Sequence, residues 1–220
     1  MAEQAFLDTG VVLAFAFTTD KHHFKCRKYL ESGNETCYVS ERVEDEYRKK
    51  QPELADKYSD AIFKHIADLK QSNFSGQLDP MDIKSIRENV LYRGNDAYQF
   101  LYWFYRKEVS KYLPMQQLLE QLRTLARDID TNAVKRRHEL EESLVEWVRE
   151  DDYKDVEAAL NVIHTQDRLI CIDAHDLAEK SDEETELATT NPNDFVRNGH
   201  RELILENTAL DDVVSLAVTS

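Results

Sequence analysis

The sequence predicts an α/β fold on a parallel sheet, as a single domain over 1–220 carrying a helical insertion at 52–162. Three observations carry this. Residues 4–50 alternate strand-like and helix-like segments, the pattern of a parallel α/β sheet. Only 5 glycines and 4 prolines punctuate the chain, too little turn chemistry for a many-stranded sandwich or barrel. Strand signals then return near the end, so the chain comes back to the sheet it left.

Taken in order, residues 4–7 form a short apolar strand ending at Asp8, and the apolar run 11–17 starts a helix. Phe24, Cys26 and Leu30 give 21–30 the spacing of a second amphipathic helix. Ser32, Gly33 and Asn34 are loop by composition, and 36–39 is a second strand. Ser40 follows as a good N-cap, with acidic Glu41 in the first helical turn. From 52 to 162 the period is helical. Leu54, Tyr58, Ala61, Ile62, His65, Ile66 and Leu69 form one stripe, and Met115, Leu118, Leu122, Leu125 and Ile129 another. Through Leu140, Leu144 and Trp147 the second stripe extends to about residue 149, and residues 76–80 divide helices. Alternation predicts strands at 186–190 and 202–206, separated by the turn cluster Asn191, Pro192 and Asn193.

The chain holds 43 acidic and 28 basic residues, a net charge of -15 that argues against binding polyanions over the whole surface. Cys26, Cys37 and Cys171 have no CxxC spacing, so neither a disulfide framework nor a thiolate zinc site is expected. A reducing, cytoplasmic setting is the simpler reading, and the short apolar run at 11–17 suits neither a signal peptide nor a membrane span.

Some carboxylates stand where solvated charges do not. Asp8 ends an apolar strand, and ligands of open α/β sheets bind outside the carboxyl ends of the strands. Glu46 lies one and a half turns past Ser40, Asp173 sits in the apolar stretch 169–174, and Asp194 follows the strand-like 187–189. Four acids at one sheet edge repel each other unless a hard divalent cation neutralises them, which suggests Mg²⁺ or Mn²⁺. Two such ions activate water and stabilise both oxygens of a phosphodiester displacement. Each acid also has a plainer reading: Asp8 as an N-cap, Glu46 as an exposed helix charge. Asp167 and Asp176 read as capping or surface residues, and His22 and His23, being adjacent, lack zinc spacing.

These residues resemble a family. Phe6, Leu7, Asp8 and Thr9 before an aliphatic run resemble the opening of PIN-domain ribonucleases, VapC-type toxins among them, with Gly10 where that family usually has Asn. Tyr38, Val39, Ser40, Val43 and Glu46 resemble its second motif. Asp173 and Ala174 resemble the third, and Thr189 to Phe195 the fourth, followed by an expected strand at Ile204 and Leu205 and the segment 210–214. The resemblance covers roughly 4–50 and 163–218.

It implies a three-layer α/β/α sandwich and an Mg²⁺- or Mn²⁺-dependent endoribonuclease with Asp8, Glu46, Asp173 and Asp194 as catalytic metal ligands. Thr9, Ser40 and Thr189 would orient them, Asn191 would be a neutral ligand or a supporting residue, and Glu44 is the fallback for a shifted helix register. RNA is the implied substrate; an antitoxin or other protein partner and a homodimer stay open. The family does not supply a role for the insertion, whose aromatics Tyr92, Tyr98, Phe100, Tyr102, Trp103, Phe104, Tyr105 and Tyr112 read as helix core or interface, and otherwise as a stacking platform. Residues 48–50 and 135–138 read as solvated basic faces, and otherwise as phosphate-steering patches. A catalytically inactive PIN-fold scaffold is the alternative function. A DNA-directed 5′ nuclease is weaker for want of a helix-hairpin-helix signal.

Overall fold

A computed structural model describes residues 2–32, 35–91, 96–109 and 112–218. Gly33 and Asn34 of the expected loop, and Tyr92 of the aromatic run, lie outside them. In chain order the elements are β1 (Gln4–Leu7), α1 (Thr9–Ala16), α2 (His23–Glu31), β2 (Thr36–Ser40), α3 (Glu41–Gln71), β3 (Gln77–Leu78), α4 (Pro80–Leu91), α5 (Asp96–Lys107), β4 (Leu113–Pro114) and α6 (Met115–Glu141). They continue with β5 (Leu144–Trp147), α7 (Lys154–Ala159), α8 (Thr165–Lys180), β6 (Thr185–Thr189), α9 (Pro192–Phe195), α10 (His200–Asn207) and β7 (Asp212–Ser215).

The chain divides into two compact units, 1–16 with 22–49 and 136–220, and 17–21 with 50–135. The first holds a five-stranded parallel sheet in the order β5-β2-β1-β6-β7. Every residue of β1 and β6 is buried, as expected of parallel strands covered on both faces. Phe6 pairs with Tyr38 of β2 and Leu7 with Ala188 of β6, so the three central strands end level.

Among the described residues, the regular structure of the second unit is helical apart from the short β3-β4 ladder. Tyr58, Ile62, Ile66 and Leu69 of α3 are buried, as are Leu118, Leu122 and Ile129 of α6, so both apolar stripes are core faces. Phe17 packs on Tyr58 with ring centroids 5.5 Å apart, and the Tyr58 hydroxyl donates to Asp20 at 3.0 Å. Tyr98, Leu101 and Tyr105 of α5 are buried, and Tyr105 Oη meets His65 Nε2 at 2.7 Å.

Three segments differ from the sequence reading. Residues 202–206 lie in α10, not a strand. Gly199, at φ 80°, opens this helix, and of its residues only Ile204 is buried. One apolar side chain facing inward satisfies a helix as well as a strand, and alternation over five residues could not separate them. The strand that closes the sheet is β7, downstream of Ile204 and Leu205.

The α6 stripe stops at Glu141, and Leu144–Trp147 forms β5 against β2. Val145 and Trp147 favour a pleated half-buried edge. Because β5 returns to the sheet, the units divide at 49/50 and 135/136, inside the 52–162 bounds read from helical period at the far end. The third difference is at 135–138, read as a solvated face. Arg137 is buried beside Glu44, and Arg136 Nη1 donates to the Ala16 carbonyl at 3.3 Å. Among the described residues no helix is long and apolar enough to cross a membrane.

Candidate functional site

The carboxyl ends of β1, β2 and β6 lie side by side and present Asp8, Ser40 and Thr189, all buried. Parallel strands place all three on the same edge, so one hydroxyl lies on each side of the carboxylate. Thr189 Oγ1 donates to Asp8 Oδ2 at 2.8 Å, and the Asp8 backbone amide donates to the Ala188 carbonyl at 3.0 Å. Helix α3 leaves this edge directly after Ser40 and brings Glu46 back to it, where Thr9 Oγ1 donates to Glu46 Oε2 at 2.6 Å. Glu44, the fallback, turns instead to Arg137.

Helix α8 supplies Asp173, which is 3 % exposed. Ser40 Oγ donates to Asp173 Oδ2 at 2.8 Å; the residue read as a helix cap spends its hydroxyl on the acid. Arg42 Nε and Arg149 Nη1 each stand 3.4 Å from an Asp173 oxygen. Burial pushes the Asp173 carboxyl up, and the Ser40 hydrogen bond and the two guanidinium groups only partly offset it. Asp8, Glu46 and Asp173 are thus each held by one of the three hydroxyls read from the sequence.

Asp194 is placed differently. Its carboxylate accepts from Asn191 Nδ2 at 2.8 Å, the Asn191 amide donates to Thr189 Oγ1 at 2.9 Å, and Thr189 donates to Asp8. Asn191 and Thr189 therefore link Asp194 to Asp8, and the Asp194 backbone carbonyl accepts from His200 Nδ1 at 3.0 Å. Gly10 has a steric reason at this edge. A Cβ there would collide with Thr190 Oγ1 and lie 3.2 Å from Asp8 Oδ2, so any side chain at this position needs Thr190 to move.

The donor set is all oxygen, the chemistry hard divalent cations take. Among the described residues, however, no group of three or more His, Cys, Asp or Glu is arranged to hold a metal ion. At Asp173 the neighbouring positive charge comes from Arg42 and Arg149, neither of which the sequence reading named. Arg42 left a signal, because a cation in the first turn of a helix opposes the macrodipole and needs a local reason. Arg149 left none, since it follows a strand that was read as helix.

Asp176 was read as capping or surface, yet it is 0 % exposed. Trp147 Nε1 donates to it at 3.0 Å, Tyr153 Oη at 2.9 Å and the Glu150 amide at 3.3 Å, and Lys180 Nζ stands 3.2 Å away. Burial raises the Asp176 carboxyl, but these hydrogen bonds together outweigh it, and the net direction is down.

None of the protein-family models, curated proteins or solved structures compared with the chain matches it.

Proposed function

We propose that the chain is an endoribonuclease of PIN-like, three-layer α/β/α fold that depends on Mg²⁺ or Mn²⁺. The observation that supports it most is that Asp8, Glu46 and Asp173 each accept a hydrogen bond from a hydroxyl at or next to the carboxyl ends of the central strands. Asp8, Glu46 and Asp173 would hold the cation, with Asp194 acting through Asn191 and Thr189. When bound, the cation supplies a nucleophilic water at neutral pH and stabilises the phosphodiester oxygens. Thr9, Ser40 and Thr189 set the orientation of the carboxylates, the usual work of hydrogen-bonded supports around a ligand set. Arg42 and Arg149 carry positive charge at the same edge and would draw an RNA phosphate toward it.

The test is cleavage of labelled RNA with added Mn²⁺, with EDTA and Asp173→Asn as controls. Cleavage that needs the metal and drops to background in Asp173→Asn is expected; activity surviving the substitution removes this site. The second reading is a non-catalytic scaffold of the same fold. The paired arginines on Asp173, and the lack of a three-acid group among the described residues, favour it. Calorimetric titration with Mn²⁺ separates the two, because no heat at millimolar metal selects the scaffold.

A further inference from the structure

In the helical unit, residues of α4 and α5 line an open cavity of about 440 Å³, within the roughly 300–1,000 Å³ range of small-ligand sites. Lys84, Arg87 and Arg106 line it with Ile83 and Tyr105, and no carboxylate does among the described residues. The chain's net charge is -15, and several of its other cations, Arg48, Arg123, Arg168 and Arg201 among them, stand beside acids. Lys84 lies 3.8 Å from Glu88, an exposed pair that weakly fixes either partner. Arg87 and Arg106 have no carboxylate partner among the described residues. Each lies over a ring instead: Arg87 5.5 Å from the Tyr102 centroid and Arg106 5.1 Å from that of Trp103. A guanidinium stacked on a ring keeps its in-plane N–H groups directed outward, the geometry that grips phosphate with two donors. Arg87 Nε is buried and makes no hydrogen bond within the described residues.

The aromatics of α5 divide by face. Tyr98 and Tyr105 serve the core, whereas Trp103 is 37 % exposed beside Arg106. An exposed ring next to uncompensated arginines suits an unpaired base and its phosphate, since a duplex offers no free base face. We propose that this cavity binds the backbone of single-stranded RNA, with Arg87 and Arg106 on phosphate and Trp103 against a base. The choice of RNA over other polyanions rests on the nuclease reading above.

The experiment is fluorescence anisotropy of a 5′-labelled single-stranded oligouridylate with the full chain in EDTA, over a series of salt concentrations. Arg87→Gln with Arg106→Gln is expected to weaken binding about 10-fold or more and to lower the salt slope by about 1.4, the share of two phosphate contacts on a single strand. Trp103→Ala is expected to weaken binding about 10-fold at unchanged slope. Circular dichroism checks folding; if the Gln pair does not fold, Arg106→Gln alone and Trp103→Ala, both at exposed positions, carry the test. Wild-type affinity in the substituted chains overturns the proposal. So does equal binding of duplex RNA, or displacement of the strand by micromolar inorganic phosphate. The two readings fail separately: a chain that binds through these arginines but never cleaves overturns only the nuclease. Cleavage with binding indifferent to them overturns only this site.

Discussion

Asp173 and Asp176 lie three residues apart on α8, both buried, and their surroundings differ in every partner. Around Asp176 an indole, a phenol, a backbone amide and an ammonium converge, and the carboxyl is pulled below its usual range. Around Asp173 there is one hydroxyl at 2.8 Å and two guanidinium groups at 3.4 Å, and the carboxyl is pushed up. The first carboxylate is fully served and ties the segment after β5 to α8. The second is left short of donors at a strand edge, a condition that weakens a fold and is commonly found where charge has work to do. Burial alone therefore does not separate a structural acid from a candidate ligand; the number and kind of donors do.

That contrast can be broken by experiment. Asp176→Ala strands three donors and a lysine and is expected to cost about 3–5 kcal/mol in urea denaturation. A loss below about 1 kcal/mol would erase the distinction. Gly10→Ala is next, at about 1–3 kcal/mol from overpacking against Thr190. Adding Thr190→Ala should recover most of that loss, and a double-mutant cycle with no coupling would put the strain elsewhere. Asp173→Asn removes a poorly solvated charge while leaving an oxygen for Ser40, so a gain of roughly 1 kcal/mol is expected together with loss of cleavage. A loss like that of Asp176→Ala would make Asp173 structural too.

The smallest effect is in pH. Because the folded Asp176 carboxyl is depressed, its contribution is present above the ordinary carboxylate range and is lost as pH falls through the folded value. Wild-type stability should accordingly drop more steeply than that of Asp176→Asn below about pH 4. Parallel curves would show that the four donors do not favour the ionised form.

The sheet and its edge were legible where the signal is local. An apolar run ending in Asp8, a second ending in Ser40 and a third ending in Thr189 announce strands and their carboxyl ends together. Asp173 could be read because an acid inside an apolar helix stretch is out of place. What could not be read depends on partners far along the chain. Asp176 looks like any charge near a helix end until Trp147 and Tyr153 are placed on it. Arg149 takes its meaning from β5, whose Leu144 and Trp147 also fit the helical stripe of α6. The α10 segment shows the limit from the other side, since one buried Ile204 leaves too little pattern to choose between periods.

The hydrogen bond from Thr189 to Asp8 joins residues 181 positions apart, and that from Ser40 to Asp173 spans 133. At ordinary synthesis rates a ribosome adds Thr189 roughly 10–35 s after Asp8. Through that interval the emerging chain has its first acid and its second strand but neither the hydroxyl that orients Asp8 nor the helix that carries Asp173. A truncated or stalled product ending before residue 165 lacks them permanently. Assembly of the edge is thus a late event in the life of each molecule, and no unfinished chain carries the whole of it.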